Sequence, residues 1–126
     1  MFARVVDLSD HADEERRQHH HAIVAAASTD LVALTDAANQ VGSSVQAWVR
    51  LGLAMQCSSL AALEEELRRS LPTRRVWSMG QASMPVLTSL VNAVEKRGGA
   101  DAELIARCRG TFADLGESLI ELAEGR

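Results

Sequence analysis

The residues best suited to bind a metal ion or transfer protons are four histidines, and all of them lie near the N-terminus. Three are consecutive at 19–21, and the fourth is His11. On a helix, His11, Glu15 and His19 would share one face, a spacing that can hold a metal ion. Helical di-metal sites, however, take their ligands from several helices, and no other predicted helix contains a histidine. We therefore expect an exposed polar segment, no obligatory metal and no cofactor, with His11, Glu15 and His19 as the metal candidates.

The two cysteines, Cys57 and Cys108, are not spaced as in a metal or redox motif, so we predict two buried free thiols. The sequence also lacks the nucleophile-elbow, phosphate-loop and dinucleotide-binding motifs. With no catalytic residue to name, we expect a protein that is not an enzyme.

Charged and aromatic residues suggest contact surfaces instead. Glu64–Arg68 and Glu65–Arg69 are spaced as favourable ion pairs on a solvated helix face. The arginines around Pro72 form either a simple basic turn or a site for an acidic partner or phosphate. Trp77 either closes the edge of the core or contacts a partner. The candidate partner-binding residues are Val45, Trp48, Arg74, Arg75 and Trp77.

The strongest periodic pattern is an apolar stripe in steps of three and four from Leu34 to Met55, which predicts a long amphipathic helix beginning at Ser28 or Thr29. Leucines continue the pattern to Leu71. An unbroken helix over 29–71 would be about 60 Å long. We therefore expect a kink or turn, either near 42–44 or near 58–59.

The flanking segments predict two further helices. We expect an irregular connection over 73–83, a helix that begins at Ser83 and ends at 98–99, and a last helix capped by Asp101. Residues 9–21 contain no large apolar side chain and predict either an exposed helix or a mobile arm. The apolar patch over 1–8 predicts a docking segment or a brief strand.

Length and composition complete this prediction. A chain of 126 residues with 47% hydrophobic and 3% aromatic residues fits one all-α domain. We expect a bundle of three to four helices with one long amphipathic helix, and residues 1–21 form a polar N-terminal arm. The net charge of −4 disfavours nucleic-acid binding. Since no apolar run is long enough to span a membrane, we expect no transmembrane segment and a cytoplasmic location.

One stretch resembles a known family. Over 31–97 the chain carries Ala38-Asn39-Gln40, Trp48, a leucine-rich helix to Leu71, a proline break and the segment Val76 to Gln81. This pattern is similar to that of phasins, the small helical proteins that coat bacterial polyhydroxyalkanoate granules. The resemblance implies a non-enzymatic protein that binds an apolar granule surface. The alternative is a helical bundle that binds a small molecule or a metal ion, including an enzyme of a type that no motif identifies.

The length of the stripe also predicts self-association. Two later helices of moderate length would not cover an apolar surface of this length, so we expect a homodimer built on the helix from Leu34 to Met55. The alternative is a chain that folds back at 42–44 and buries the stripe internally.

Overall fold

The computed structural model of the chain describes residues 2–41, 45–71 and 74–124, and within them the side chains of 2–11, 74–80 and 82 lie outside the description. Four helices account for the regular structure of this part, which contains no strand: α1 (Phe2–Gln40), α2 (Ala47–Arg69), α3 (Arg74–Lys96) and α4 (Ala102–Ala123). The predicted all-α bundle is therefore confirmed, and the brief strand predicted near the N-terminus is wrong.

The helices form a four-membered ring in which α1 packs on α2 and α4, and α3 packs on the same two helices. The core is built mainly from leucine and valine of all four helices. Val45, just before α2, lies against Gly99, which follows α3. Gly52 of α2 faces Leu90 of α3. The start of α2 therefore lies beside the end of α3, and a later residue of α2 lies beside an earlier residue of α3. These two helices are antiparallel.

Helix α1 is 39 residues long and begins far earlier than predicted. The predicted start at Ser28 or Thr29 is wrong, because α1 passes through both residues and the Thr29 hydroxyl instead donates to the carbonyl of Ala25 at 3.0 Å. Residues 2–21 are helical and continuous with the rest of α1. Among the described side chains of this segment, His20 lies in the core.

The apolar stripe does not lie on one helix, because the chain reverses between Gln40 and Ala47. The predicted turn residues 42–44 lie outside the described residues. The second predicted break, at Ser58-Ser59, is not a break: α2 runs through it, and the Ser59 hydroxyl donates to the carbonyl of Met55 at 3.2 Å.

The prediction of an irregular connection over 73–83 is wrong, since α3 already begins at Arg74 and contains Pro85 in its interior. Proline removes one backbone hydrogen bond and glycine costs about 1 kcal/mol in a helix interior, yet α3 continues through both Gly80 and Pro85.

The predicted C-terminal end of α3 and N-terminal cap of α4 are confirmed, whereas the predicted start of α3 at Ser83 is wrong. Gly98 has a φ of +67°, the Gly99 amide donates to Val94 and the Gly98 amide donates to Glu95, which together form a Schellman motif. The Asp101 carboxylate accepts from the Leu104 amide at 2.8 Å and caps α4.

Candidate functional site

The interface between α1 and α4 contains a buried polar pair. His20 and Ser118 are each 1% exposed, and the Nδ1 of His20 lies 2.6 Å from the Ser118 hydroxyl oxygen. A buried imidazole needs such a partner, because an unpaired polar group in the core costs about 1–3 kcal/mol. The distance would suit a nucleophile and its base, but a substrate cannot reach a hydroxyl that is 1% exposed.

The three consecutive histidines point in different directions, because successive residues of a helix are rotated by about 100°. His20 enters the core, whereas the Nε2 of His19 lies 4.0 Å from an oxygen of Glu121 on α4. The Nε2 of His21 lies 3.8 Å from an oxygen of Glu64 on α2. The histidine segment thus contacts both neighbours of α1.

His19, His20 and Glu121 form a compact cluster, which we call the His–Glu cluster. One ligand atom from each residue lies within 4.8 Å of the other two, and among the described residues this is the one such group of three metal-ligating side chains. The ring centroids of His19 and His20 are 5.1 Å apart, with an angle of 65° between the ring planes. The cluster forms where α1 crosses α4.

The metal candidates from the sequence are only partly represented in this cluster. His19 belongs to it, whereas Glu15 is exposed and does not, and the His11 side chain lies outside the described residues. Sequence analysis missed His20 as a potential ligand and missed Glu121 altogether. No local pattern marks Glu121, since it lies about one hundred residues away from His20 along the chain.

A second polar group connects α1 and α4 around Asp30, which is largely buried. Its carboxylate accepts from the Thr111 hydroxyl at 3.0 Å and from Arg107 at 3.3 Å. The Cys108 thiol donates to the Asp30 carbonyl at 3.5 Å, and burial raises the pKa of this thiol to about 11, with the nearby Asp30 carboxylate as a second cause. Cys108 is therefore a protonated core residue and not a nucleophile. The prediction of a buried free thiol is confirmed for Cys108, whereas Cys57 is only half-buried.

The outer face of α2 is apolar near its N-terminal end. Trp48, Leu51 and Met55 are 59%, 63% and 60% exposed, although α2 buries a separate row of side chains in the core. Their spacing of three and four residues places them on one side of the helix. The indole N–H of Trp48 already donates to the Gln46 side chain, so the exposed ring offers mainly apolar surface. We call these three residues the α2 face.

The candidate partner-binding residues have different positions. Val45 is fully buried, so it cannot contact a partner in this fold, whereas Trp48 lies on the exposed α2 face. The side chains of Arg74, Arg75 and Trp77, at the start of α3, lie outside the described residues.

The predicted ion pairs on α2 are confirmed. Arg68 lies 3.7 Å from Glu64, and Arg69 lies 3.2 Å from Glu65. Arg17 of α1 adds a contact that sequence analysis missed, since its guanidinium donates to the carbonyls of Leu67 and Arg68 and so caps the end of α2.

Shallow grooves follow the helix pairs. One of about 250 Å³ lies between α3 and α4 and is lined by Met84, Val91 and Phe112, and another of about 230 Å³ lies between α1 and α4 and is lined by His19, Thr111 and Asp114. Both are open to solvent and smaller than the usual pocket for a drug-sized ligand. None of the described helices is long and apolar enough to cross a membrane.

These features define an all-α four-helix bundle with a polar α1–α4 interface and an apolar outer face. Comparison of the chain with protein-family models, with curated proteins and with solved structures found no match.

Proposed function

We propose that the protein is a non-enzymatic interaction protein of the bacterial cytosol, which pairs with a second copy of itself and docks on a protein partner or an apolar granule surface. The α2 face is the observation that supports this proposal. Isolated exposed apolar residues are common, but a tryptophan, a leucine and a methionine grouped on one helix face are typical of a contact surface.

The charge distribution supports the same surface. Between residues 45 and 63 the only charged residue is Arg50, so a partner would cover the α2 face without removing many charges from water. The region also lies inside the phasin-like stretch, and the granules coated by phasins are apolar.

Self-association is proposed through the α2 face of each copy, related by a two-fold axis. This surface keeps Trp48 and Met55 of the predicted stripe and adds Leu51, whereas the stripe residues Leu34, Ala38 and Val45 are buried within one chain. A stable interface buries roughly 800 Å² per partner, which is more surface than three side chains supply. Neighbouring residues of α2 and α3 must therefore also contribute.

The test uses two substitutions that add the same charge to α2. Leu51→Lys places it on the α2 face, whereas Ala61→Lys places it at another exposed position of the same helix. Light scattering at tens of micromolar should give a dimer for the wild type and Ala61→Lys, and a monomer for Leu51→Lys. In a Trp77→Phe background, at a dilution that dissociates the dimer and exposes the α2 face, Trp48 emission should shift to shorter wavelength when polyhydroxybutyrate particles are added, and Leu51→Lys should reduce this shift.

The proposal would be overturned if the wild type is a monomer and the particles leave the Trp48 emission of the Trp77→Phe protein unchanged. Equal behaviour of Leu51→Lys and Ala61→Lys would show that the α2 face is not the contact surface.

A further inference from the structure

We infer that the His–Glu cluster is a binding site for a divalent transition-metal ion of the zinc type. Two imidazoles from α1 and one carboxylate from α4 form a nitrogen-rich ligand set, which zinc and its neighbours in the first transition row accept. The same set is unsuited to Mg²⁺ or Ca²⁺, because these ions prefer oxygen ligands. The site is independent of the α2 face and of the function proposed for it.

The distances are compatible with an ion held by all three residues. In a tetrahedral zinc site with bonds of about 2.0–2.2 Å, ligand atoms lie roughly 3.3 Å apart. The cluster holds its three atoms within 4.8 Å of one another, so the longest separation must shorten by about 1.5 Å. Rotation of the two more exposed side chains, His19 and Glu121, can supply this movement without moving a helix.

The third ligand is already held in place. His20 is buried, and its contact with Ser118 fixes the orientation of the ring, as an outer-shell partner does for a metal-binding histidine. The site thus combines one oriented ligand in the core with two adjustable ligands at the surface.

The cluster is also accessible. The side chain of His19 is 62% exposed and that of Glu121 is 37% exposed, so an ion can enter from solvent and keep water in its fourth position. His19 lines the α1–α4 groove beside Asp114, whose carboxylate adds negative charge near the entrance. Binding need not break a strong ion pair, since the 4.0 Å between His19 and Glu121 exceeds hydrogen-bond distance.

The chain contains its own control for non-specific binding by consecutive histidines. His21 follows the cluster directly, but it is oriented toward Glu64 of α2 and not toward Glu121. A site made by the His–Glu cluster therefore requires His19 and Glu121, whereas binding to the histidine run in general would depend equally on His21.

The experiment is a calorimetric titration of the full chain with Zn²⁺, followed by Co²⁺ as a spectroscopic probe of coordination. We expect one ion per chain, a visible Co²⁺ absorption band and a higher melting temperature with Zn²⁺. His19→Gln and Glu121→Gln should each weaken binding about tenfold or more, and Ser118→Ala, which only loosens the His20 ring, should weaken it about 10- to 100-fold. His21→Gln should bind Zn²⁺ as the wild type does.

The melting temperature without metal shows that each variant is folded, and His19→Gln and Glu121→Gln change surface side chains only. The inference is overturned if no Zn²⁺ binds, if Glu121→Gln binds as tightly as the wild type, or if His21→Gln weakens binding as much as His19→Gln.

Discussion

At the scale of single residues, the polar side chains in the core determine how α1 and α4 align. His20 pairs with Ser118, and ten residues further along α1 Asp30 pairs with Thr111. Each hydrogen bond contributes only about 0.5–1.5 kcal/mol net, but a shifted register would leave these groups buried without partners. The two pairs therefore act mainly by excluding other alignments.

Leu115 tests the core face of α4. It is almost fully buried, so Leu115→Ala should lower the free energy of unfolding by roughly 2–5 kcal/mol, measured by urea denaturation. Ile120→Ala is the matched control on the same helix, because Ile120 is nearly half exposed and its loss should cost far less. Similar losses for the two variants would contradict the assigned core face.

Cys108 should be unreactive in the folded protein, because its pKa is raised to about 11 and only the thiolate reacts quickly with alkylating reagents. In a Cys57→Ser variant, labelling near pH 8 should need denaturant. Rapid labelling of the native protein would contradict the buried position.

The same pKa predicts how stability depends on pH. The pKa of Cys108 is about 11 in the folded chain, whereas the ordinary value is 9.0. The unfolded chain therefore loses this proton first, so stability falls as the pH rises from about 9 toward about 11, and Cys108 has no such effect below 9. The urea midpoint of the wild type should therefore fall more steeply across this range than that of Cys108→Ala.

At the scale of the elements, local sequence predicts where α3 ends and α4 begins, but it does not predict where α3 begins. The Asp101 cap and the Gly98-Gly99 end were predicted correctly because a few neighbouring residues decide them. The start of α3 was predicted wrongly because Gly80 and Pro85 resemble a loop, although the helix continues through both.

Two glycines offer a test of this local control. Neither has an atom within 4 Å of an added Cβ, but Gly98 has a φ of +67° whereas Gly110 lies inside α4. Gly98→Ala should therefore cost about 1–2 kcal/mol, and Gly110→Ala should stabilise the protein by about 0.4–1 kcal/mol. Thermal and urea unfolding would measure both, and changes of the same sign would contradict the assigned backbone conformations.

At the scale of the whole molecule, the fold hides much of the stripe that predicted a dimer. Val45→Glu places a charge in the core against Gly99 and Val94, so it should destabilise the chain by more than about 3 kcal/mol, a large part of the stability of a small domain. Ala61→Glu, at an exposed position of α2 outside the α2 face, should leave the far-UV circular dichroism and the melting temperature nearly unchanged. A stably folded Val45→Glu protein would show that Val45 is not in the core.

The sequence by itself determined the class of fold, the C-terminal end of α3, the N-terminal cap of α4 and the ion pairs of α2. These depend on residues within about one helical turn of one another, which a periodic pattern records directly. The sequence did not determine where the chain turns within the stripe. The apolar spacing that includes Val45 is the same whether one helix continues or the chain reverses into a second helix.

Only the tertiary structure decided which helices are neighbours, and with that the composition of the candidate sites. His20 and Ser118 are 98 positions apart, and Glu121 joins His19 only because α4 returns along α1. The α2 face is likewise defined by what α1 and α3 leave uncovered. Local pattern cannot supply such information, because the packing of whole helices decides which polar groups meet and which apolar ones stay exposed.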